Sequence, residues 1–572
     1  MKNLKSFAIF IIAAAVLSSC GGLNKMVKEA DTVSYQVTPE VLEMHGGEVD
    51  YTLSVNFPGK YFNKKAIVTL TPVLRYEGGE MEMEPLVLQG EDVTENNKVI
   101  SYDNGGNASI SNTFEYEDEM MRSELYVDVS GQIRDNTADL GDVKVADGII
   151  VTPQLVSKDP KVLMFDDNFQ RIVPETYQAD IHYVINRADV RRSEIQDEEI
   201  QKMTDVLKDI DEKERLELTG LEISAYASPD GPIDFNTELA DKRKNSADRY
   251  LDGQLEETGL DVTEELLSMM TTPEDWEGFK ELVQESDIQD KDMILRVLEM
   301  HSDPVVREQE IRNLSAVFEV LADEILPKLR RSKYIINMEH IGWSDDELKE
   351  LWNTNKDTLK LEELLYTATL YEDLDTKAAI YQKVIEDHAE CVRAHNNLGA
   401  VYFKMGRHDE AEESFNDAKE LKDHDIINNN LGAVALVNND VEAAKESFTA
   451  SLGAGDKVNY NLGIVNIIEG DYDAALNNFG GEPSFNAALT RYLNGDVEGA
   501  WRAAANLTTD SPYRYYLMAV IAANQDNPET VYENLRLAIE NCQTPAMMKT
   551  RAENDLEFAQ YFNEPEFQSI VE

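Results

Sequence analysis

A chain of 572 residues with 53 Lys and Arg against 110 Asp and Glu carries a formal charge of −57. That length is enough for roughly three to five domains, and the acid excess argues against nucleic acid or an anionic leaflet as the main partner, since both need Lys and Arg to displace counterions. Three Cys exclude a disulfide scaffold.

The first segment reads as an address. Lys2 and Lys5 precede an apolar run over 7–17, much shorter than the roughly 20 residues a spanning helix needs, so residues 1–19 are expected to be a signal peptide. The run ends in Leu17-Ser18-Ser19-Cys20 followed by Gly21-Gly22, which resembles the lipobox of bacterial lipoproteins. The resemblance implies that Cys20 is diacylated on its thiol, freed by cleavage and acylated on its amine, which anchors the chain through a linker over 20–33. Position 21 is Gly rather than the Asp that retains many lipoproteins in the inner membrane, which implies the outer membrane. No acidic cluster of the kind found in surface lipoproteins of the Bacteroidota follows Cys20, which points to the periplasmic face.

Residues 34–158 are expected to form an antiparallel β-sandwich. Short alternating runs over 49–55, 66–73, 99–102 and 125–129 are separated by Gly46-Gly47, Gly78-Gly79 and Asn104-Gly105-Gly106. No catalytic cluster lies among them, and a spacer or binding role is expected.

Asp159-Pro160 marks a boundary, and residues 160–345 alternate strand and helix patterns: strand over 178–185, helix over 197–210, strand over 216–226, helix over 237–251. This predicts an α/β or α+β layer. The run Ile223-Ser224-Ala225-Tyr226-Ala227-Ser228-Pro229-Asp230-Gly231, with Asn236, Leu239, Ala240 and Arg243 after it, resembles the OmpA-like peptidoglycan-associated domain. Arg330-Arg331 resembles that family's closing strand, and the resemblance covers about 165–341. It implies peptidoglycan as a partner, bound through the diaminopimelate zwitterion of the stem peptide. A guanidinium meets the carboxylate with two parallel hydrogen bonds and an aspartate takes the ammonium. The arginine position is filled by Arg243, between Lys242 and Lys244, and Asn236 offers a further polar contact. Ser228 stands in the aspartate position without a charge, and Asp230 compensates if its carboxylate turns inward. The plainer alternative is the same fold with Arg243 in a structural ion pair. Residues 263–328 are expected to be a helical insert with Trp276 and Phe279 in its core; it resembles an insert found in OmpA-like proteins of the Bacteroidota, some linked to fimbrial assembly.

From 358 to 556 the sequence repeats. Leu398-Gly399, Leu431-Gly432 and Leu462-Gly463 recur at intervals of 33 and 31 residues, each followed by Ala411 and Phe415, Ala444 and Phe448, or Ala475 and Phe479. These resemble tetratricopeptide repeats, in which small residues let two helices approach and an aromatic fills the space between them. The resemblance implies an all-α superhelix whose concave groove binds protein partners.

His388, Cys391 and His395 share a helical spacing, but the repeat frame puts a junction between two repeats there, so no metal site is expected. No phosphate loop, nucleophile elbow or zinc-protease motif appears, so neither a cofactor nor an enzyme activity is expected. The expected role is an outer-membrane lipoprotein that tethers or scaffolds at the cell envelope. The alternative is a surface-exposed adhesion or fimbrial accessory lipoprotein whose OmpA-like fold binds no wall.

Overall fold

The computed structural model describes residues 21–289, 291–313 and 315–572. The signal peptide and Cys20 lie outside the described residues. The chain divides into two compact units, one made of residues 1–166 and 381–572 and the other of residues 167–380.

After the helix Gly21–Lys28, which buries Leu23 and Met26 in the core of the strands, the first unit carries ten strands: β1 (Ser34–Thr38), β2 (Val41–His45), β3 (Glu48–Phe57), β4 (Ile67–Tyr76), β5 (Gly79–Glu82), β6 (Leu86–Gly90), β7 (Lys98–Ile100), β8 (Gly106–Glu115), β9 (Ser123–Ile133) and β10 (Asn136–Ile150). Strict alternation in β3 sends Val49, Tyr51, Leu53, Val55 and Phe57 to one buried face. The expected sandwich of two separate antiparallel sheets is corrected. All ten strands belong to one curled sheet, along the path β1-β3-β2-β10-β9-β4-β6-β7, with β5 on β4 and β8 on β3. The cause is β2, whose first half pairs in parallel with β10 while its last two residues pair antiparallel with β3, so one short strand joins what would otherwise be two layers. The β2–β3 turn needs Gly46 and Gly47, both at positive φ. A Cβ on Gly46 would sit 2.6 Å from the Glu469 carbonyl oxygen, so this turn packs directly on the helical region.

That region continues the same unit as five helix pairs: Val392–Lys404 with His408–Leu421, Asp425–Val437 with Val441–Ala450, Asp456–Glu469 with Tyr472–Phe479, Phe485–Leu493 with Val497–Ala505, and Pro512–Asn524 with Pro528–Glu540. The expected use of the small residues holds in detail. A Cβ on Gly399, Gly432 or Gly463 would come within 2.8 Å of the ring of Phe415, Phe448 or Phe479 respectively, so each Leu-Gly step exists to admit one aromatic ring. The fourth pair is the shortest, its two helices having nine residues each. Asp440, Asp471 and Asp496 each cap a second helix by accepting from the backbone N–H three residues on.

The second unit is a four-stranded sheet in the order β11 (Ile172–His182), β14 (Arg331–Ile341), β12 (Leu216–Tyr226), β13 (Leu267–Thr272). β14 is antiparallel to both of its neighbours and β13 is parallel to β12. The helices Glu198–Glu212 and Ile233–Thr258 bury Ile200, Met203, Leu207, Ala247 and Leu251 against Ile181, Ile223, Tyr334 and Ile336 of the sheet. The stretch expected to begin the helical insert instead forms β13. Helices follow from Trp276 to Leu329 and enclose a small core of their own around Phe279, Val283, Ile294, Leu321 and Leu329, with Trp276 half-buried at its edge. Residues 358–380, expected to open the repeat region, fall within this second unit.

Candidate functional site

Two buried polar constellations stand out, one in each unit. In the second unit, the loop over 227–232 joins β12 to the helix Ile233–Thr258; the loop carries Ser228 and Asp230 and the helix carries Asn236 and Arg243. Asn236, on the first turn of that helix and 3% exposed, donates through Nδ2 to the carbonyls of Ser228 (3.1 Å) and Gly231 (3.0 Å), which fixes the loop. Ser228 Oγ donates to Asp230. The Asp230 carboxylate turns towards the protein and meets Arg330 Nη2 at 3.3 Å, while Arg330 Nε donates to Ser228 Oγ at 3.3 Å. From the insert, Arg312 donates to the Asp230 carbonyl.

Arg243 lies two turns along the same helix and has no exposed surface. Its Nη1 donates to the Tyr226 carbonyl at 2.7 Å, its Nε to the Arg187 carbonyl at 3.1 Å, and its guanidinium stacks 5.0 Å from the Tyr183 ring centroid. No carboxylate pairs with it among the described residues, and buried Nη2 has no acceptor there. The structural ion pair weighed as the alternative is therefore not what holds it. Burial, with Arg330 nearby, lowers the guanidinium to about 10, still protonated at neutral pH. Lys242 and Lys244 do not add to this charge: they point outward and pair with Glu238 (3.1 Å) and Asp241 (3.7 Å) on their own helix.

Sequence reasoning missed the second half of this cluster. Arg331 Nη2 donates to Asp275 at 3.1 Å, and its Nε lies 3.4 Å from Asp180. Asp275 also caps the helix Trp276–Glu285 through the Gly278 N–H. Burial raises the carboxyls of both Asp180 and Asp275. The signal was available in the Arg330-Arg331 pair and in an Asp at a helix start, but nothing local tied either to the loop at 228.

The first unit holds the other constellation. The groove lined by the first helices of the repeats is occupied by the protein's own residues 157–165, which lie extended within it. Asn397 accepts from the Phe165 N–H (2.8 Å) and donates to the Phe165 carbonyl (2.9 Å). Asn430 does the same to Leu163 (2.7 and 2.7 Å), Asn461 to Lys161 (2.6 and 3.0 Å) and Asn486 to Ser157 (2.8 and 2.8 Å). Between the last two, Tyr460 Oη donates to the Asp159 carboxylate at 2.9 Å. A second row stiffens the first. Asn396 and Asn429 donate to the Leu163 and Lys161 carbonyls and accept from Asn430 and Asn461 respectively, each at 2.9 to 3.1 Å. All six asparagines are buried. Among the described residues, a segment of this chain thus lies in the groove expected to bind protein partners.

The discounted signals fall elsewhere. His395 Nε2 sits 2.9 Å from the Ala389 carbonyl and its Nδ1 3.6 Å from Asp417. Cys391 and Cys542 are free thiols. Among the described residues, no group of three or more His, Cys, Asp or Glu is placed to hold a metal ion, and no helix is long and apolar enough to cross a membrane.

Residues 392–425, the helix pair Val392–Lys404 and His408–Leu421, match the tetratricopeptide repeat family. No curated protein matches the chain. Among solved structures, the chain is similar to a tetratricopeptide repeat protein from Parabacteroides merdae, at 14% identity over 37% of this chain and 91% of that one, with a TM-score of 0.29. It is also similar to the Cut9–Hcn1 hetero-tetramer of the APC/C, at 13% identity over 56% and 74% with a TM-score of 0.33. A third likeness is to PilW, a type IV pilus biogenesis factor, at 17% identity over 40% and 98% with a TM-score of 0.27.

Proposed function

We propose that this protein is a non-catalytic cell-envelope scaffold, lipidated at Cys20, held at the outer membrane facing the periplasm, and gripping the wall through an OmpA-like α/β unit. The helical repeats suggest the scaffolding half, since stacked helix pairs of this type commonly serve protein–protein interaction. The observation that carries the wall-binding half is Arg243: a buried, protonated guanidinium with no acidic partner and one Nη2 lacking an acceptor among the described residues. An unpaired buried cation is costly, and a stem-peptide carboxylate would supply both a counter-charge and the acceptor that Nη2 lacks. The strand order β11-β14-β12-β13 and the clustering of Ser228, Asp230, Asn236 and Arg243 on one loop and helix are in keeping with the OmpA-like reading. Admission of the carboxylate requires the structure around Arg243 to open, because its side chain has no exposed surface. The test is retention of the full chain on purified sacculi, comparing wild type with Arg243→Gln and using circular dichroism to verify folding. Loss of retention in a folded variant is expected, and undiminished retention rejects the site.

A second reading is favoured by the state of Asp230. Its carboxylate is engaged by Ser228 and Arg330, so the ammonium of the stem peptide has no free acid to meet. Under this reading the protein is a surface-exposed adhesion or fimbrial accessory lipoprotein. Protease treatment of intact cells decides: digestion without lysis supports the surface reading.

A further inference from the structure

We propose that the concave groove of the helical repeats is a receptor for extended backbone that the chain permanently occupies in cis with residues 157–165, so that protein partners meet this scaffold on other surfaces. The inference rests on the asparagine network alone and stands or falls independently of the carboxylate site.

The recognition is directed at backbone. Each of four asparagines spends one carboxamide on both the N–H and the C=O of a single residue, which satisfies a peptide unit and takes no account of its side chain. Phe165, Leu163 and Lys161 are read by successive repeats, two residues per repeat, as the alternation of an extended chain requires. The segment therefore runs opposite to the order of the repeats. Pro160 is consistent with this register. It lies at an even position, where no asparagine seeks an N–H, whereas a proline at 161, 163 or 165 would remove a donor.

The occupant is also anchored beyond its backbone. Leu155 is buried in the core of the helical region, and Val156, Val162 and Leu163 pack against that core. Lys161 lies 4.4 Å from the Tyr460 ring centroid, and Phe165 meets the His424 ring edge-on at 4.9 Å. Only a short stretch separates β10, which ends at Ile150, from the first residue read by an asparagine, Ser157. A ligand tethered so closely is present at an effective concentration on the order of millimolar. A free peptide making the same contacts at roughly 10 μM would then hold about one groove in a hundred.

The experiment uses the full chain and a fluorescent peptide with the sequence of residues 155–167. Wild type is expected not to bind it at tens of micromolar. Leu163→Pro, which removes a donor that Asn430 reads, is expected to bind at least tenfold more tightly than wild type, whereas Met164→Pro, at an unread position, is expected to behave like wild type. Binding by wild type as tight as by Leu163→Pro, or no binding by a folded Leu163→Pro chain, overturns the proposal. Should Leu163→Pro lose its helical signal, hydrogen exchange of the wild-type chain decides. The amides of 157, 161, 163 and 165 are expected to exchange at least a hundredfold more slowly than those of 158, 162 and 164, and equal rates overturn the proposal.

Discussion

The asparagine-lined groove and the arginine cluster of the α/β unit are both buried and polar, yet they differ in how far their hydrogen bonding closes. In the groove, each of the four reading carboxamides finds a donor and an acceptor on one residue of the segment, and the second row links neighbouring repeats. In the α/β unit, Arg243 Nη2 and Arg331 Nε are both left without a hydrogen-bond partner among the described residues, although Arg330 and Arg331 also pair with Asp230 and Asp275. An unmet buried donor costs free energy, so the groove is held by a network that is closed, whereas the arginine keeps a donor whose cost a ligand would relieve under the wall-binding proposal.

The largest effect is expected in the groove. Asn430→Leu removes the acceptor of the Leu163 N–H, one of the two donors to the Leu163 carbonyl, and the donor to Asn396 Oδ1. With roughly 1–3 kcal/mol for each buried group left unpaired, the loss should be on the order of 3 kcal/mol, read as a lower midpoint in urea unfolding. An unchanged midpoint would break the claim that the closed network is structural. A charged counterpart lies near the end of the same unit. Glu557 accepts from Thr152 Oγ1 (2.5 Å) and Tyr492 Oη (2.9 Å), and burial, reinforced by Asp555 and Glu43, raises its carboxyl to about 7. Because the folded pKa exceeds the unfolded one, the folded state binds the proton more tightly, and stability falls as pH rises from about 4.5 to about 7. Glu557→Gln should therefore stabilise the first unit at pH 8 by up to about 3 kcal/mol and give no gain below pH 4. Equal melting temperatures of variant and wild type at pH 8 would reject this.

What the sequence disclosed follows from how local each constraint is. The Leu-Gly and Phe pairs were readable because a ring pressed on a glycine demands both residue types at a fixed offset. The four residues of the 228–243 cluster were readable because one loop and one helix carry them. Arg330, a hundred residues from Asp230, could be linked to it only by the pairing of β14 with β12. The strand β13 was missed because Leu-Ser-Met-Met-Thr-Thr has little alternation and takes its conformation from pairing with β12. Alternation in the first strands told which residues face inward but not which strand each pairs with, so the curl made by β2 was out of reach. The groove's occupant did leave a trace. Asn precedes Leu-Gly in three repeats, as Asn397, Asn430 and Asn461, and a buried amide recurring on one face asks for a polar backbone to satisfy it.

Two smaller changes sharpen the contrast from the side of the arginine. Arg243→Lys keeps the charge but loses the fork that reaches Tyr226 and Arg187 together. A loss of roughly 1–3 kcal/mol in stability is expected, with sacculus retention reduced at least tenfold if recognition needs two parallel hydrogen bonds. Retention equal to wild type would show that a point charge suffices.

The smallest effect is expected at Lys242 and Lys244, which flank Arg243 in sequence. Their ammonium groups pair with Glu238 and Asp241 on the same helix, and the Lys242 side chain is 63% exposed. Exposed pairs of this kind contribute about 0.5 kcal/mol or less, and neither lysine reaches the buried face where Arg243 lies. Replacing both with Ala should change the urea midpoint very little and leave sacculus retention at the wild-type level, in high salt as in low. If retention instead falls with the two lysines and becomes salt-sensitive, the wall contact is a surface charge effect, and the buried guanidinium loses its claim to be the recognising group.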